Sequence, residues 1–498
     1  MASVVVMWEE LVVMALARVD KNNFLRYLPK VCLTKLSAEE DPLADIETLD
    51  GPGPWDRTLL EVEVENPKAP TSEGEPARNR MLLFSANDYL NLSTHPAVRK
   101  ASAKSVTDSI HKYGTGLSGV RMGPRSSALV SGHTEYHRRL ENVLAEMHKK
   151  EACVVTPTGF AANTAFLSAL GGVATHNAAS RRPAEQEKIA VFSDALNHAS
   201  IIDGLRMMER HQQAVHLDEL LSNCPLERKV VITDSLFSME GDFAPMLDLV
   251  QLRKKHRFLF VIDEAHTAFV CGRNGGGIGE VYGIEDQIDI IVGTLSKAGG
   301  CLGGFVACSR KWSDLVRGLG RPYIFSTASP LPVIVAAYGS VGPSPRIRGN
   351  DEAPATSPIL SLVVGSEDAA IYASKHMMER GFHVIAIRPP AVAPNACRLR
   401  VTLTSAHTSE DLRRLIKLPQ GFDHGIWSTL QFNPAYHPLP QMRKPKRSID
   451  GCRRFIHGAV AVRGFGRLFR EFTRRTRTKA LLADIRSFQL PYCCEANA

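Results

Sequence analysis

The sequence predicts an α/β protein, with a large domain on a mainly parallel sheet followed by a small C-terminal α+β domain. Three observations predict it. Between Cys153 and Cys308, short apolar, β-branched runs alternate with helical patterns, as in successive βαβ units. Two of these runs, VIDEAH (261–266) and IIVGTLSK (290–297), end in reactive side chains where a strand should stop, at the carboxyl edge where open sheets bind ligands. A Pro/Gly/Arg-rich stretch at 342–357 then separates a second, shorter set of elements.

Taken in order, residues 1–80 read as an N-terminal segment and linker, with an amphipathic helix suggested by Leu11, Val12, Ala15 and Leu16 and a surface loop over 38–55. The large domain spans 81–341. It opens with Leu82–Phe84 and a turn at Asn87, Asp88 and Tyr89. Leu140, Val143, Leu144 and Met147 recur at helical spacing and predict a helix over 135–149. A strand at Cys153–Val155 enters the small-residue turn Thr158–Asn163, which opens a second helix. Further strands are expected at Ile189–Phe192, Val230–Ile232, Phe258–Ile262, Ile288–Val292 and Phe305–Cys308, with helices from about Ser200 and over 246–256. In the small domain, 358–417, Ile359–Val364, His383–Ile387 and Arg398–Leu403 read as strands and Glu367–Arg380 as a helix, and Thr408 caps a last helix. From 418 to 498 the periodicity dissolves into a basic, atypical tail, which reads as a spliced or mistranslated end, a disordered appendage or a basic partner-binding tail.

Composition places the chain among ordinary globular proteins: 44% of its 498 residues are hydrophobic and 22% charged, enough for two or three domains with a large core. The net charge of +8 would suggest nucleic-acid binding if it were spread evenly. It is not: from Pro419 onward 14 Lys and Arg face 5 Asp and Glu, and the preceding residues carry 46 against 47. No nucleic-acid partner is expected of the body. Ten cysteines without CxxC pairs, behind an apolar N-terminus that runs straight into Glu9 and Glu10, suggest reduced thiols and a cytoplasmic location, or a peroxisomal one should the native C-terminus differ. No 18 apolar residues run together, so no membrane span is expected.

A strand ending in Asp-Glu-Ala-His also occurs in helicase-type sites that hold magnesium, but such sites need GxxxxGK[ST] to cradle phosphates. This chain has no Gly-Lys dipeptide. The same residues suit pyridoxal phosphate better, because that cofactor needs a lysine for its imine and a carboxylate facing its pyridine nitrogen. Lys297 and Asp263 supply the two, each at its own strand end, with Thr294 three residues before the lysine. A strand-end Asp or Lys taken alone is usually a surface residue. Thr158-Gly159-Phe160-Ala161 offers backbone N–H groups at a helix start for the phosphate. His198, after a strand, can lie over the ring, although a lone histidine there is more often structural.

The motifs TGFAAN (158–163), SDALNHASIIDG (193–204), TDSLFSMEGDFAPM (233–246), VIDEAHTAFVCGRNGGG (261–277), GTLSKAGGCLGGFVACS (293–309), YIFSTASP (323–330) and RLRVTLTSAH (398–407) resemble the α-oxoamine synthases, and most the biotin-pathway branch in its plant-type version. The resemblance covers about 82–416. It implies a fold-type-I pyridoxal phosphate transferase, an acyltransferase that joins L-alanine to pimeloyl-CoA with release of CoA and carbon dioxide. By resemblance, Lys297 is the imine-forming base, Asp263 the partner of the ring nitrogen, and His266 the donor to the ring hydroxyl. His198 stacks on the ring and assists catalysis, while Ser238, Thr294, Gly159 and Phe160 contact the cofactor and Arg400 holds the amino-acid carboxylate. A homodimer is implied too, with Ser326 and Thr327 reaching the neighbouring subunit's phosphate. Rival readings are a relative using glycine or serine with another acyl-CoA, and a pyridoxal phosphate-binding paralogue with impaired turnover.

Several places depart from the family pattern. Only His211–Glu219 fill a gap that normally holds an extra strand, 342–357 replaces a long interdomain helix, and 115–121 looks inserted. Ala391 stands where a threonine is usual and Asn91 where a glycine is.

Overall fold

The computed structural model describes residues 61–70, 76–96, 98–103, 126–177, 188–208, 212–214, 217–341, 357–417 and 431–432. The helix expected near Leu11, the 38–55 loop, the 115–121 insertion and the connection at 342–356 lie outside these residues, as does the tail apart from 431–432.

Strands β1 (Glu61–Pro70) and β2 (Pro76–Leu83) pair as an antiparallel hairpin. The central sheet contains β3 (Ala152–Thr156), β4 (Ile189–Asp194), β5 (Gln212–Ala214), β6 (Arg228–Asp234), β7 (Leu259–Asp263), β8 (Ile290–Thr294) and β9 (Gly304–Cys308). Its order is β3-β9-β8-β7-β6-β4-β5, with β4 to β8 parallel and β9 antiparallel to both its neighbours. Parallel neighbours need crossovers. Helices Ala199–Arg206, Leu217–Asn223, Met246–His256 and Gly277–Tyr282 supply them in turn.

All five residues of β7 and of β8 are buried, because helices cover both sheet faces. Val261, Ile290 and Val292 pack on one face with Phe166 and Leu170 of helix Gly159–Asn177 and with Trp312. Phe260, Ile262 and Ile291 pack on the other with Leu140 and Leu144 of helix Glu135–Met147 and with Leu249. A strand with no solvated face leaves polar chemistry one place to emerge, its end.

The small body contains β10 (Ile359–Gly365), β11 (Phe382–His383), β12 (Ile385–Ile387), β13 (Cys397–Thr402) and β14 (Gln431–Phe432), with helix Glu367–Glu379 packed on them. An antiparallel sheet runs β12-β13-β10-β14, and β11 instead lies parallel to β2.

Four sequence expectations change here. Residues 76–84 are no mere linker and entry to the large domain: β2 pairs with β11, and Phe84 is buried with Phe382, Leu399 and Val401 in the small core. The strand expected over His383–Ile387 is split, since β11 and β12 join different sheets on either side of the buried Val384. The gap at 211–219 does hold its edge strand, because β5 pairs with Phe192–Asp194 in only three residues. The tail after 418 is not wholly outside the fold, as Gln431 and Phe432 pair with Val363 and Leu362 on the open edge of β10. Among the described residues, no helix is long and apolar enough to cross a membrane.

The sheet core sets the stability scale. Phe260→Ala, which empties a fully buried site, should cost about 3–5 kcal/mol in denaturant unfolding, and Ile371→Ala, with 44% of its surface exposed, should cost under about 0.5 kcal/mol.

Candidate functional site

Parallel registry brings Asp234 and Asp263 level at the ends of β6 and β7. Asp263 accepts hydrogen bonds from Ala265 N at 2.8 Å and from Asn163 Nδ2 at 2.6 Å. Asn163 also donates to Ser200 Oγ at 2.9 Å, and Ser200 Oγ lies 2.7 Å from His198 Nδ1. His198 caps helix Ala199–Arg206. Its Nδ1 accepts from the backbone N–H of Ser200, which can only donate, so the proton of the neutral imidazole sits on Nε2. Although the ring keeps an exposed face, surrounding protein desolvates it and lowers its pKa below the ordinary histidine value, which favours that neutral form. Burial, with Asp263 alongside, holds the Asp234 carboxyl well above the usual range.

A second chain of contacts starts at the lysine. Lys297 Nζ lies 2.8 Å from His266 Nε2, and His266 Nδ1 lies 2.6 Å from the Tyr89 hydroxyl. Tyr89 donates to Asn87 Oδ1 at 3.2 Å, which also accepts from Arg400 Nη1 and Nη2 at 3.1 and 3.0 Å. Arg400 Nε closes the chain on the Ser238 carbonyl at 2.6 Å. Desolvation lowers Lys297 to about 8, against the pull of Asp263 and Asp234. Burial and the nearby Lys297 and Arg400 charges hold His266 well below its ordinary value, and burial pushes Tyr89 up to about 12.

Beside these networks, helix Gly159–Asn177 begins directly after the Thr158 turn. Thr158 Oγ1 accepts from Ala161 N at 3.0 Å and Thr158 O from Ala162 N, leaving the Gly159 and Phe160 N–H groups at the open end of the helix. A Cβ on Gly159 would stand 2.8 Å from Thr294 Cβ, so only glycine lets this helix end close against β8. Thr294 Oγ1 in turn holds Ser296 Oγ at 2.7 Å and donates to Gly303 O at 3.0 Å, which fixes the turn before Lys297.

The sequence-derived residues thus divide. Asp263, His266, His198, Lys297 and Arg400 lie on the two hydrogen-bonded chains, Ser238 contributes its carbonyl, and Gly159 and Thr294 pack as one unit. Ser326 and Thr327 stand apart from both chains: the Ser326 hydroxyl donates to Pro322 O, and Thr327 bridges Ser127. Sequence reasoning missed Asn163, Ser200, Tyr89 and Asn87 as site residues, though TGFAAN and the Asn87–Tyr89 turn were already singled out. The donor set fits pyridoxal phosphate: a half-buried lysine of lowered pKa, a hydrogen-bonded carboxylate at the neighbouring strand end, and a helix start that Gly159 lets close against β8.

Comparison with known proteins agrees with this geometry. The family model for class I and II aminotransferases matches residues 79–340. An 8-amino-7-oxononanoate synthase of Arabidopsis thaliana is 45% identical over 488 residues, covering 88% of this chain and 99% of that protein. One from Lysinibacillus sphaericus is 33% identical over 374 residues, covering 69% and 90%. A serine palmitoyltransferase from S. paucimobilis, solved with bound PLP and myriocin, superposes with a TM-score of 0.60 at 26% identity, covering 72% of this chain and 91% of that one. The chain belongs to the α-oxoamine synthases. Asn91, which stands where the family pattern has a glycine, is left-handed at φ 53, a conformation asparagine tolerates, and its side chain donates to Thr94 Oγ1 at 3.0 Å.

Glu264, the middle of the family's DEAH string, does other work. Its fully buried carboxylate accepts from Ile278 N at 3.0 Å and from the Thr267 hydroxyl, tying the end of β7 to the glycine-rich loop. Burial raises it from 4.5 to about 7.

Two outcomes follow. A raised folded pKa contributes stability in full below the unfolded value and loses it as pH rises through the folded one, so wild type should lose melting temperature relative to Glu264→Gln between pH 4.5 and 7. A difference that stays flat across that range would contradict the buried-carboxylate reading. Cofactor-free protein should take up pyridoxal phosphate at a rate that rises with pH around a midpoint near 8, read from visible absorbance, because only the neutral Lys297 amine attacks the aldehyde. A midpoint near 10.5 would mean that Lys297 is not desolvated.

Proposed function

We propose that the chain, as a homodimer carrying pyridoxal phosphate, catalyses the decarboxylative condensation of L-alanine with pimeloyl-CoA to 8-amino-7-oxononanoate, CoA and carbon dioxide. The observation that carries this reading is the single chain of contacts joining Lys297 to Arg400 through His266, Tyr89 and Asn87. It links the amine proposed as the base to the guanidinium proposed to hold the carboxylate. The match to nearly the full length of the Arabidopsis thaliana 8-amino-7-oxononanoate synthase supports the choice of substrates.

Gly159 and Phe160 would hold the cofactor phosphate by their N–H groups, Asp263 would face the pyridine nitrogen, His266 the ring hydroxyl, and Lys297 Nζ would anchor the aldehyde carbon. When bound, pyridoxal phosphate supplies an electron sink for charge left on the amino acid's α-carbon. Arg400 would meet the alanine carboxylate with its charge and the Nη1–H and Nη2–H that Asn87 leaves over. Lys297 Nζ takes the alanine α-proton; at about 8 a useful fraction is the neutral amine near pH 7.5, whereas an ordinary lysine is almost wholly charged. The α-carbon then bonds to the thioester carbonyl carbon and CoA leaves. His198 Nε2–H, freed by the bond that Nδ1 makes to Ser200, donates to the carbonyl oxygen as charge gathers there. Carbon dioxide departs, and Lys297 returns a proton to the α-carbon.

In the dimer, Ser326 and Thr327 would reach the partner's phosphate. Their neighbour Phe325 is 65% exposed and Phe160 is 46% exposed at the cradle, apolar surface of the sort that a second subunit covers.

Purified protein with pyridoxal phosphate should release CoA from alanine plus pimeloyl-CoA, and Lys297→Ala should lose both the visible absorbance and turnover. CoA release confined to glycine or serine with other acyl-CoAs would reassign the substrates. Bound cofactor without any turnover would mark an impaired paralogue.

A further inference from the structure

The segment 238–241 following β6 meets the small body at three places, and the site uses only one of them. Arg400 Nε bonds the Ser238 carbonyl at 2.6 Å, as described. Two residues earlier on β13, and therefore on the same strand face, Arg398 points into the same seam. Its Nη1 donates to Glu240 Oε1 at 3.1 Å and to Met239 O at 3.2 Å, while its Nε is held by Ala396 O at 3.0 Å. Both partners are largely buried, with Arg398 at 9% and Glu240 at 17% side-chain exposure. Next to Glu240, Gly241 comes so close to β10 that an added Cβ would lie 2.6 Å from Ile359 O.

We propose that the Glu240–Arg398 pair is a positioning strut, which fixes segment 238–241 against β13 and so fixes where the Arg400 guanidinium meets the amino-acid carboxylate. The inference rests on the carboxylate-binding role given to Arg400 above. Neither strut residue touches the Lys297 or Asp263 contacts, and Ser238 meets the site through the carbonyl that Arg400 bonds, so the pair acts first on affinity for the amino acid and leaves the proton transfer at Lys297 alone. The physical ground is that a fork bonding two oxygens is sensitive to displacement. If the segment drifts, the Ser238 carbonyl no longer orients Nε, and the other N–H groups turn with it. Breaking one side of a buried pair leaves the other charge to seek a new partner, which is the force that would move the segment.

The test uses full-length protein loaded with pyridoxal phosphate and no acyl-CoA, and titrates alanine by the change it causes in the visible spectrum. Glu240→Gln should weaken alanine binding about tenfold, the loss expected from one charge-assisted hydrogen bond, with pyridoxal phosphate affinity within about twofold of wild type. In turnover, KM for alanine should rise while kcat stays within about twofold. Arg398→Lys, which keeps the charge but not the fork, should fall between wild type and Glu240→Gln. In an Arg400→Lys background, Glu240→Gln should have little further effect on alanine, because the strut acts through Arg400. Wild-type alanine binding in Glu240→Gln, an additive effect in the Arg400→Lys background, or a matching loss of pyridoxal phosphate affinity would each overturn the strut. A wild type that binds pyridoxal phosphate but shows no response to alanine would instead defeat the function on which the strut depends.

Discussion

The charges at the ends of β6, β7 and β8 have to satisfy one another, and the rest of the site depends on that constraint. The strands are sealed between helices on both faces, so Asp234 and Asp263 end up buried, with Lys297 half-buried beside them. Isolated, each charge would be expensive to keep there. Together they compromise: Lys297 gives up part of its basicity, Asp234 is driven toward its neutral form, and Asn163 donates to Asp263 while bracing Ser200 beneath His198. The lowered basicity of the lysine is thus a by-product of a closed core as much as a feature of catalysis.

How much of this was legible in the sequence depended on the distance between partners. Asp263 and Lys297 could be found because one closes an apolar strand and the other follows one by three residues, a local signal. The small-residue turn at Thr158 announced the helix start for the same reason. Tyr89 and Asn87 could not be assigned that way, since their roles arise from contacts to His266 and Arg400, 177 and 313 residues away. Asn163 and Ser200 are neutral polar residues inside helices, where sequence alone cannot tell a brace from a solvated face. In the fold, length decided the matter: the five-residue strands β7 and β8 announce themselves, and the three-residue β5 does not. The β1–β2 hairpin carried a signal in the alternation of Glu61-Val62-Glu63-Val64-Glu65 that the expected linker overrode.

The DEAH string shows why a motif needs its surroundings. In this chain its His contacts the lysine and its Asp is held by Asn163, while its Glu turns back into protein and holds backbone N–H groups at the start of helix Gly277–Tyr282. Four letters shared with a nucleotide-hydrolysing site therefore serve an unrelated chemistry, with the second acidic residue acting as a joint between strand and loop. Of the departures from the family pattern, Asn91 takes up a left-handed backbone conformation, which glycine also adopts freely, and β5 stands at the sheet edge.

The pairing of β2 with β11 has a consequence for how the chain is made. Ser85 bonds His383 across 298 residues, and Thr402 N donates to Phe84 O, so the small core cannot close until nearly all of the described chain has left the ribosome. The central sheet needs nothing beyond Cys308 to pair its strands. At 5–20 residues per second, β2 therefore waits about 15–60 s for its partner, with one edge unpaired and Phe84 uncovered. Birth order and assembly order are opposed in this protein, and the segment synthesised early is among the last to be buried.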